Sequence, residues 1–152
     1  MNALENKVPP PAVVLLIGVL MWLVARYGIA APGSTWQIWL GLPFIAAGLA
    51  CIIPAFRAFQ QAKTTINPVT IEATSTLVTS GLFQYSRNPM YLGLALILIG
   101  WAFSLGPMLM LLGPLVFVLF IDRFQIAPEE RVMSAKFGSA YADYKTRVRR
   151  WL

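Results

Sequence analysis

Histidine is absent from this chain, and with it go the usual general base, the commonest metal ligand and any triad of the Ser-His type. Cysteine occurs once, as Cys51 inside an apolar run, so neither a disulfide framework nor a Cys/His metal cluster is expected. Charge is also scarce. Only 12% of the 152 residues are charged, with six acidic against twelve basic side chains. What remains is 58% apolar, with a mean hydropathy of +0.68, which excludes an ordinary soluble domain. The composition predicts one all-α integral membrane domain over residues 1–152. The net charge of +6 is read as membrane topology and attraction to anionic headgroups rather than nucleic-acid binding.

Four apolar runs mark the expected spans, near residues 10–29, 36–56, 89–105 and 108–124. The stretch ahead of the first holds Glu5 and Lys7 rather than a basic cluster, so the first run reads as a retained helix, not a removed signal. Pro32 and Gly33 mark a turn. In the second run Trp36 and Trp39 suit the headgroup level, and Ala46, Ala47 and Gly48 would let another helix approach closely. Gly106 and Pro107 alone join the last two runs, which forces an antiparallel hairpin.

Between residues 57 and 88 the chain is polar, a connection longer than adjacent helices require and therefore a functional candidate. After residue 124 a charged tail, residues 125–152, carries Pro128, Glu129 and Glu130, which suit the start of a helix lying along the membrane interface or packed back on the bundle. Met133, Phe137, Tyr141, Tyr144 and Val148 then recur at spacings of four, four, three and four, one apolar stripe on an amphipathic helix. Tyr141 and Tyr144 are read as anchors of that helix. All Lys and Arg residues except Arg26 fall on the side shared by both termini and the long connection. The excess of positive charge assigns that side to the cytoplasm.

The most informative stretch runs from residue 77 to residue 93: Leu-Val-Thr-Ser-Gly-Leu-Phe-Gln-Tyr-Ser-Arg-Asn-Pro-Met-Tyr-Leu-Gly. Pro89 can open a helix without losing a needed donor, and it pushes Asn88 out of the helical region. Arg87, Asn88 and Tyr91 are thereby held where water, headgroups and hydrocarbon meet. An arginine, an asparagine, tyrosines and an acidic pair suit binding a zwitterionic or cationic molecule better than hydrolysis. A histidine-free face is compatible with methyl transfer from a sulfonium, which needs alignment more than acid–base help. Physics alone reaches a binding site at the membrane face.

The stretch at 77–93, followed after a hairpin by Glu129-Glu130, Phe137-Gly138, Tyr141 and Tyr144, resembles the isoprenylcysteine carboxyl methyltransferase and phospholipid methyltransferase family. The resemblance covers roughly residues 67–149. It implies an integral membrane enzyme using S-adenosylmethionine, with S-adenosylhomocysteine as product, at a cytosolic-face site capped by the C-terminal segment. The acceptor would be a lipidic or small carboxylate, amine or thiol. Carried over by position, it implies cofactor contacts at Ser75, Thr76, Leu77, Val78, Phe83, Asn88, Pro89, Met90, Tyr91 and Glu129. Arg87 and Glu130 become the candidate catalytic residues, and Arg123 and Gln125 the candidate substrate contacts. Gln125 stands where the prenylcysteine branch has an arginine, and Phe83 where it has a tyrosine. Two other classes compete: an NADPH-dependent membrane reductase of the sterol reductase type, and a non-catalytic membrane subunit.

Overall fold

The computed structural model describes residues 5, 7–28, 35–62 and 76–152. Helix α1, Pro10–Tyr27, starts on a proline and closes where the Gly28 amide bonds the Val24 carbonyl at 2.8 Å. Helix α2, Thr35–Gln61, runs five residues beyond the expected end at Phe56 and carries Pro43 and Pro54 in its interior. Helix α3, Pro89–Leu105, also opens on a proline, after Asn88 at φ −131°. It ends on Gly106 at φ 103°, a conformation that favours glycine, and Pro107 turns the chain back as the sequence predicts.

The return helix departs from expectation. A 3-10 turn, Met108–Leu111, leads into α4, Leu112–Ile121, then a π turn, Asp122–Ile126, and α5, Ala127–Arg147, with no interruption before Gly138. The expected end near Phe124 and fresh start at Pro128 are replaced by a helix that runs on through Pro128 as far as Gly138. The π turn explains how. The Ala127 amide reaches back five residues to the Asp122 carbonyl, loosening the ladder directly ahead of Pro128, whose ring would otherwise press on the turn before it. The kink comes later, at Gly138, with φ 50° and ψ −123°.

Three helices, Pro10–Tyr27, Trp36–Gln61 and Met108–Arg147, are long and apolar enough to cross a membrane, and Pro89–Leu105 is a shorter apolar helix. Leu15, Leu16 and Trp22 of α1, Trp39 and Ile53 of α2, and Leu115, Val116 and Leu119 of α4 are exposed. Apolar surface on that scale belongs in a bilayer, and the protein is an integral membrane protein.

The core lies between α1, α3 and α4, where Leu98, Phe117, Ile121 and Ile126 are fully buried. Trp101 donates its indole N–H to the Gly18 carbonyl at 3.0 Å, tying α3 to α1. Helix α2 packs along α3 through glycine. Gly48 faces Gly93 and Gly41 faces Gly100, so close that a Cβ on Gly93 would stand 2.6 Å from the Gly48 carbonyl oxygen. Small residues do make the close contact, as expected for membrane helices. Ala46 and Ala47, however, face outward, and Gly41 joins Gly48 on the seam.

Candidate active site

Two segments far apart in sequence meet at the start of α3. Pro89 fixes the first turn, so Tyr91 points from the helix's opening and Arg87 and Asn88 sit just ahead of it. The π turn and α5 deliver Glu129 and Glu130 to the same place. The Tyr91 hydroxyl donates to Glu129 Oε1 at 2.6 Å, and Arg87 Nη2 donates to Glu130 Oε1 at 2.8 Å. The Arg87–Glu130 pair is largely buried, with side-chain exposures of 10% and 13%, so neither charge is an ordinary surface anchor.

A third segment completes the frame. Ser86 forms a parallel bridge with Arg149, and the Arg87 amide donates to the Arg149 carbonyl at 3.0 Å. The Asn88 side chain donates to the Arg150 carbonyl at 2.9 Å. Arg150 in turn donates from Nη2 to Glu130 Oε2 at 2.5 Å and from Nη1 to both Asp122 oxygens at 3.1 Å. The result is an ionic chain, Arg87–Glu130–Arg150–Asp122, that orients the acidic pair. The Tyr144 hydroxyl donates to the Phe83 carbonyl at 2.6 Å, fastening α5 to the 3-10 turn Gly81–Gln84.

The electrostatics follow from burial. Glu129 is pushed up from 4.5 to about 7, chiefly by burial; the Tyr91 hydrogen bond opposes the rise and the Glu130 charge adds to it. Burial likewise raises the Tyr141 and Tyr144 phenols to about 12. The Arg150 guanidinium is pushed up, first by its hydrogen bond to Glu130. Among the described residues no cluster of His, Cys, Asp or Glu could hold a metal.

These groups border a cavity of about 580 Å³. Thr76, Leu77, Val78, Phe83, Arg87, Asn88, Met90, Tyr91, Glu129 and Glu130 all line it. Pro89 is buried beneath it as the helix start, and Ser75 lies outside the described residues. Arg123 and Gln125 are not brought to the cavity. Arg123 is half-exposed and pairs with Glu5 at 3.2 Å, while Gln125 is fully buried and donates to the Val8 carbonyl at 2.7 Å. Tyr141 and Tyr144 both anchor α5, with Met133, Phe137, Val148 and Leu77 around them, and line the cavity. Among the described residues, Arg87 Nε and Gln125 Oε1 are the buried side-chain atoms without a hydrogen-bond partner.

Sequence reasoning missed two walls. Ile52, Phe56 and Phe59 of α2 line the cavity, and their spacing of four and three, one helix face, was a readable signal. Pro9, Pro10 and Pro11 line it as well. The role of Arg150 had no local signal, because a basic residue among several near a headgroup layer looks like an anchor.

The profile of the phospholipid methyltransferase family matches residues 36–140, which include both halves of this site. A protein-S-isoprenylcysteine O-methyltransferase B from Arabidopsis thaliana is 30% identical over 90% of this chain and 70% of its own length. The chain belongs to the phospholipid methyltransferase family. The protein-S-isoprenylcysteine O-methyltransferase of Saccharomyces cerevisiae is 35% identical over 51% of this chain and 32% of its own length. An uncharacterized protein of Haemophilus influenzae is 52% identical over 41% of this chain and all of its own. The chain thus spans about a third of the yeast relative. No solved structure matches it. Within the family match, the Arg-Asn-Pro-Met-Tyr step and the acidic pair are both present, whereas Glu5, the three prolines and Arg150 lie outside the matched residues.

Proposed function

We propose that this protein is an S-adenosylmethionine-dependent membrane methyltransferase acting on a lipidic or small carboxylate, amine or thiol at the cytoplasmic face. The observation that carries the reading is the meeting of Arg87 and Tyr91 with Glu130 and Glu129 around one cavity, in a chain of this family. The yeast and Arabidopsis relatives are by name O-methyltransferases of protein-S-isoprenylcysteine, which places apolar-tailed acceptors first among the candidates.

The residues suit the cofactor. The cavity falls within the size range of small-ligand pockets, is mostly apolar and holds a few convergent polar groups. When bound, S-adenosylmethionine supplies a methyl group on a positively charged sulfur. Glu129, once ionised, offers negative charge to a cation or to ribose hydroxyls, and Tyr91 fixes its orientation. Arg87, held by Glu130 through Nη2, lines the cavity and offers positive charge to a carboxylate of the cofactor or acceptor. Thr76, Leu77, Val78, Phe83, Asn88 and Met90 form the remaining wall of the cofactor end. A carboxylate acceptor takes the methyl with no proton to remove, whereas an amine or thiol must enter the site deprotonated; the arrangement's own work is alignment and exclusion of water.

The topology in this reading has four spans, α1 to α3 and the helix beginning at Met108, with both termini in the cytoplasm. Residues beyond the π turn then cap the site, and membrane lipids surround the rest. The basic residues gathered on that face support the orientation.

Calorimetric titration of the purified protein with S-adenosylmethionine and S-adenosylhomocysteine, beside Arg87→Ala and Glu129→Ala, tests the proposal. Saturable binding is expected, weakened about tenfold or more in each variant. A folded protein that binds neither ligand overturns it, and binding of NADPH instead would assign the reductase class.

A further inference from the structure

The three prolines that line the cavity belong to a stretch that is held with unusual care. The Glu5 side chain is only 6% exposed, and its carboxylate accepts from Arg123 Nη1 at 3.2 Å and Arg131 Nη2 at 2.6 Å. A buried carboxylate is retained only when paired, and this one takes two guanidiniums from the far end of the chain. Gln125, fully buried on the π turn, donates to the Val8 carbonyl at 2.7 Å. Val8 is itself half-buried and packs against the buried core of α1, α3 and α4. Pro9 then passes its carbonyl to the amides of Ala12 and Val13, opening α1.

The wall so made is chemically distinct from the rest of the cavity. Proline has a fixed φ and no N–H, so Pro9, Pro10 and Pro11 present a stiff surface with no donor to leave unsatisfied. Ile52, Phe56 and Phe59, one face of α2, and Leu94 of α3 line the cavity without charge. Its charged groups come from Arg87, Glu129 and Glu130, with hydroxyls and an amide from Thr76, Asn88 and tyrosines beside them. A ligand with a polar head and an apolar tail matches such a mixed lining.

We propose that Glu5, Val8 and the three prolines form a strap that walls the apolar tail of the acceptor and sets its length. Arg123, Gln125 and Arg131 are then positioning residues that hold the strap through Glu5 and Val8. This rests on the methyltransferase reading, and it gives Arg123 and Gln125 a part in acceptor choice at one remove from contact. Helices α1 and α2 also become walls of the acceptor pocket rather than supports for the hairpin.

The test uses the full chain in lipid nanodiscs, with pyrene-labelled alkyl carboxylates and alkyl amines of graded tail length. Binding is read by energy transfer from the protein's tryptophans and checked by displacement with unlabelled hexadecanoate or hexadecylamine. S-adenosylhomocysteine affinity is measured in parallel by calorimetry. Wild-type protein should bind the long-tailed probes saturably. Glu5→Ala should weaken that binding about tenfold and flatten the dependence on tail length, with S-adenosylhomocysteine affinity within about twofold of wild type. Gln125→Met, close in shape but without the donor to Val8, should act in the same direction and guards against misfolding of the Glu5 variant. Absence of saturable probe binding to wild type, or unchanged length preference in both variants, overturns the strap. Loss of S-adenosylhomocysteine affinity in the strap variants moves the prolines to the cofactor end and overturns it too. Wild-type protein that fails to bind S-adenosylhomocysteine overturns instead the methyltransferase reading.

Discussion

The Tyr91 hydroxyl and the Glu129 carboxylate meet at 2.6 Å across 38 positions of sequence. Tyr91 stands in the first turn of α3 and Glu129 in the first turn of α5, so their contact registers α3 against α5. Glu130, the next residue, does the same with Arg87. Each half of the site is therefore positioned by the other, and each should be sensitive to pH or mutation in its partner.

Glu129 gives the first prediction. Its folded value of about 7 lies above its ordinary 4.5, so the folded protein holds the proton across that interval while the unfolded chain has released it. The contribution to stability is present at low pH and lost as pH rises toward 7 and beyond. Glu129→Gln stays neutral throughout and keeps an acceptor for Tyr91. The unfolding free energy of the variant should gain on wild type as pH is raised from about 5 to about 8, by roughly 2 kcal/mol. A gap independent of pH would contradict the assignment. The same ionisation predicts that affinity for cationic S-adenosylmethionine rises over this interval more than affinity for S-adenosylhomocysteine.

Arg150 gives the second. Its fork binds Glu130 on one side and both oxygens of Asp122 on the other, while its carbonyl takes the Asn88 amide. Lysine cannot reproduce two directions at once. Arg150→Lys should therefore lower ligand affinity nearly as much as Arg150→Ala, with a stability loss of about 1 kcal/mol because the guanidinium is partly exposed. A double-mutant cycle of Arg150→Ala with Glu130→Gln should return a coupling of about 1 kcal/mol. Additive effects would remove Arg150 from the frame.

The glycine seam gives the third. A Cβ on Gly93 meets the Gly48 carbonyl oxygen at 2.6 Å and the Ile52 side chain at 2.6 Å, and backbone cannot yield as a flexible side chain does. Gly93→Ala should destabilise by about 1–3 kcal/mol through separation of α2 from α3. Gly18→Ala is the control, since its Cβ finds only the Trp101 ring at 3.9 Å. Thermal unfolding in detergent should separate the two variants clearly.

The apolar runs, the Gly106-Pro107 reversal and the proline starts of α1 and α3 were legible because each is a local rule about backbone geometry. The candidate site was legible from the stretch at 77–93 and the acidic pair, and most of those side chains line one cavity. What escaped was non-local. Pro128 reads as a helix start, and only the π turn ahead of it lets the helix run through. Gln125 sits at an aligned position, yet burial against Val8 takes its side chain away from the cavity. Ala46 and Ala47 are as small as Gly48 but lie off the face that meets α3. Glu5 gave no hint that it would be sealed between Arg123 and Arg131, because no rule of spacing links positions so distant.

Gly138 gives the last prediction. With φ 50° and ψ −123° it holds a conformation that a Cβ makes costly, and nothing stands within 4 Å of that Cβ. Strain rather than collision is therefore the whole effect of Gly138→Ala, at about 1–2 kcal/mol. Asparagine offers no relief, since its tolerated left-handed region has positive ψ. The kink aims the second half of α5 so that Tyr141 and Tyr144 reach the cavity and the Tyr144 hydroxyl reaches the Phe83 carbonyl. Straightening it should release that latch. Hydrogen exchange should then speed at the Val148 amide, which bonds the Tyr144 carbonyl, and at the Arg87 amide, which bonds Arg149. Exchange in α3 should stay unchanged, because its packing against α1 and α2 does not involve the second half of α5. If α3 and that half of α5 loosen together, the two form one cooperative unit and the latch at Tyr144 is not a local contact.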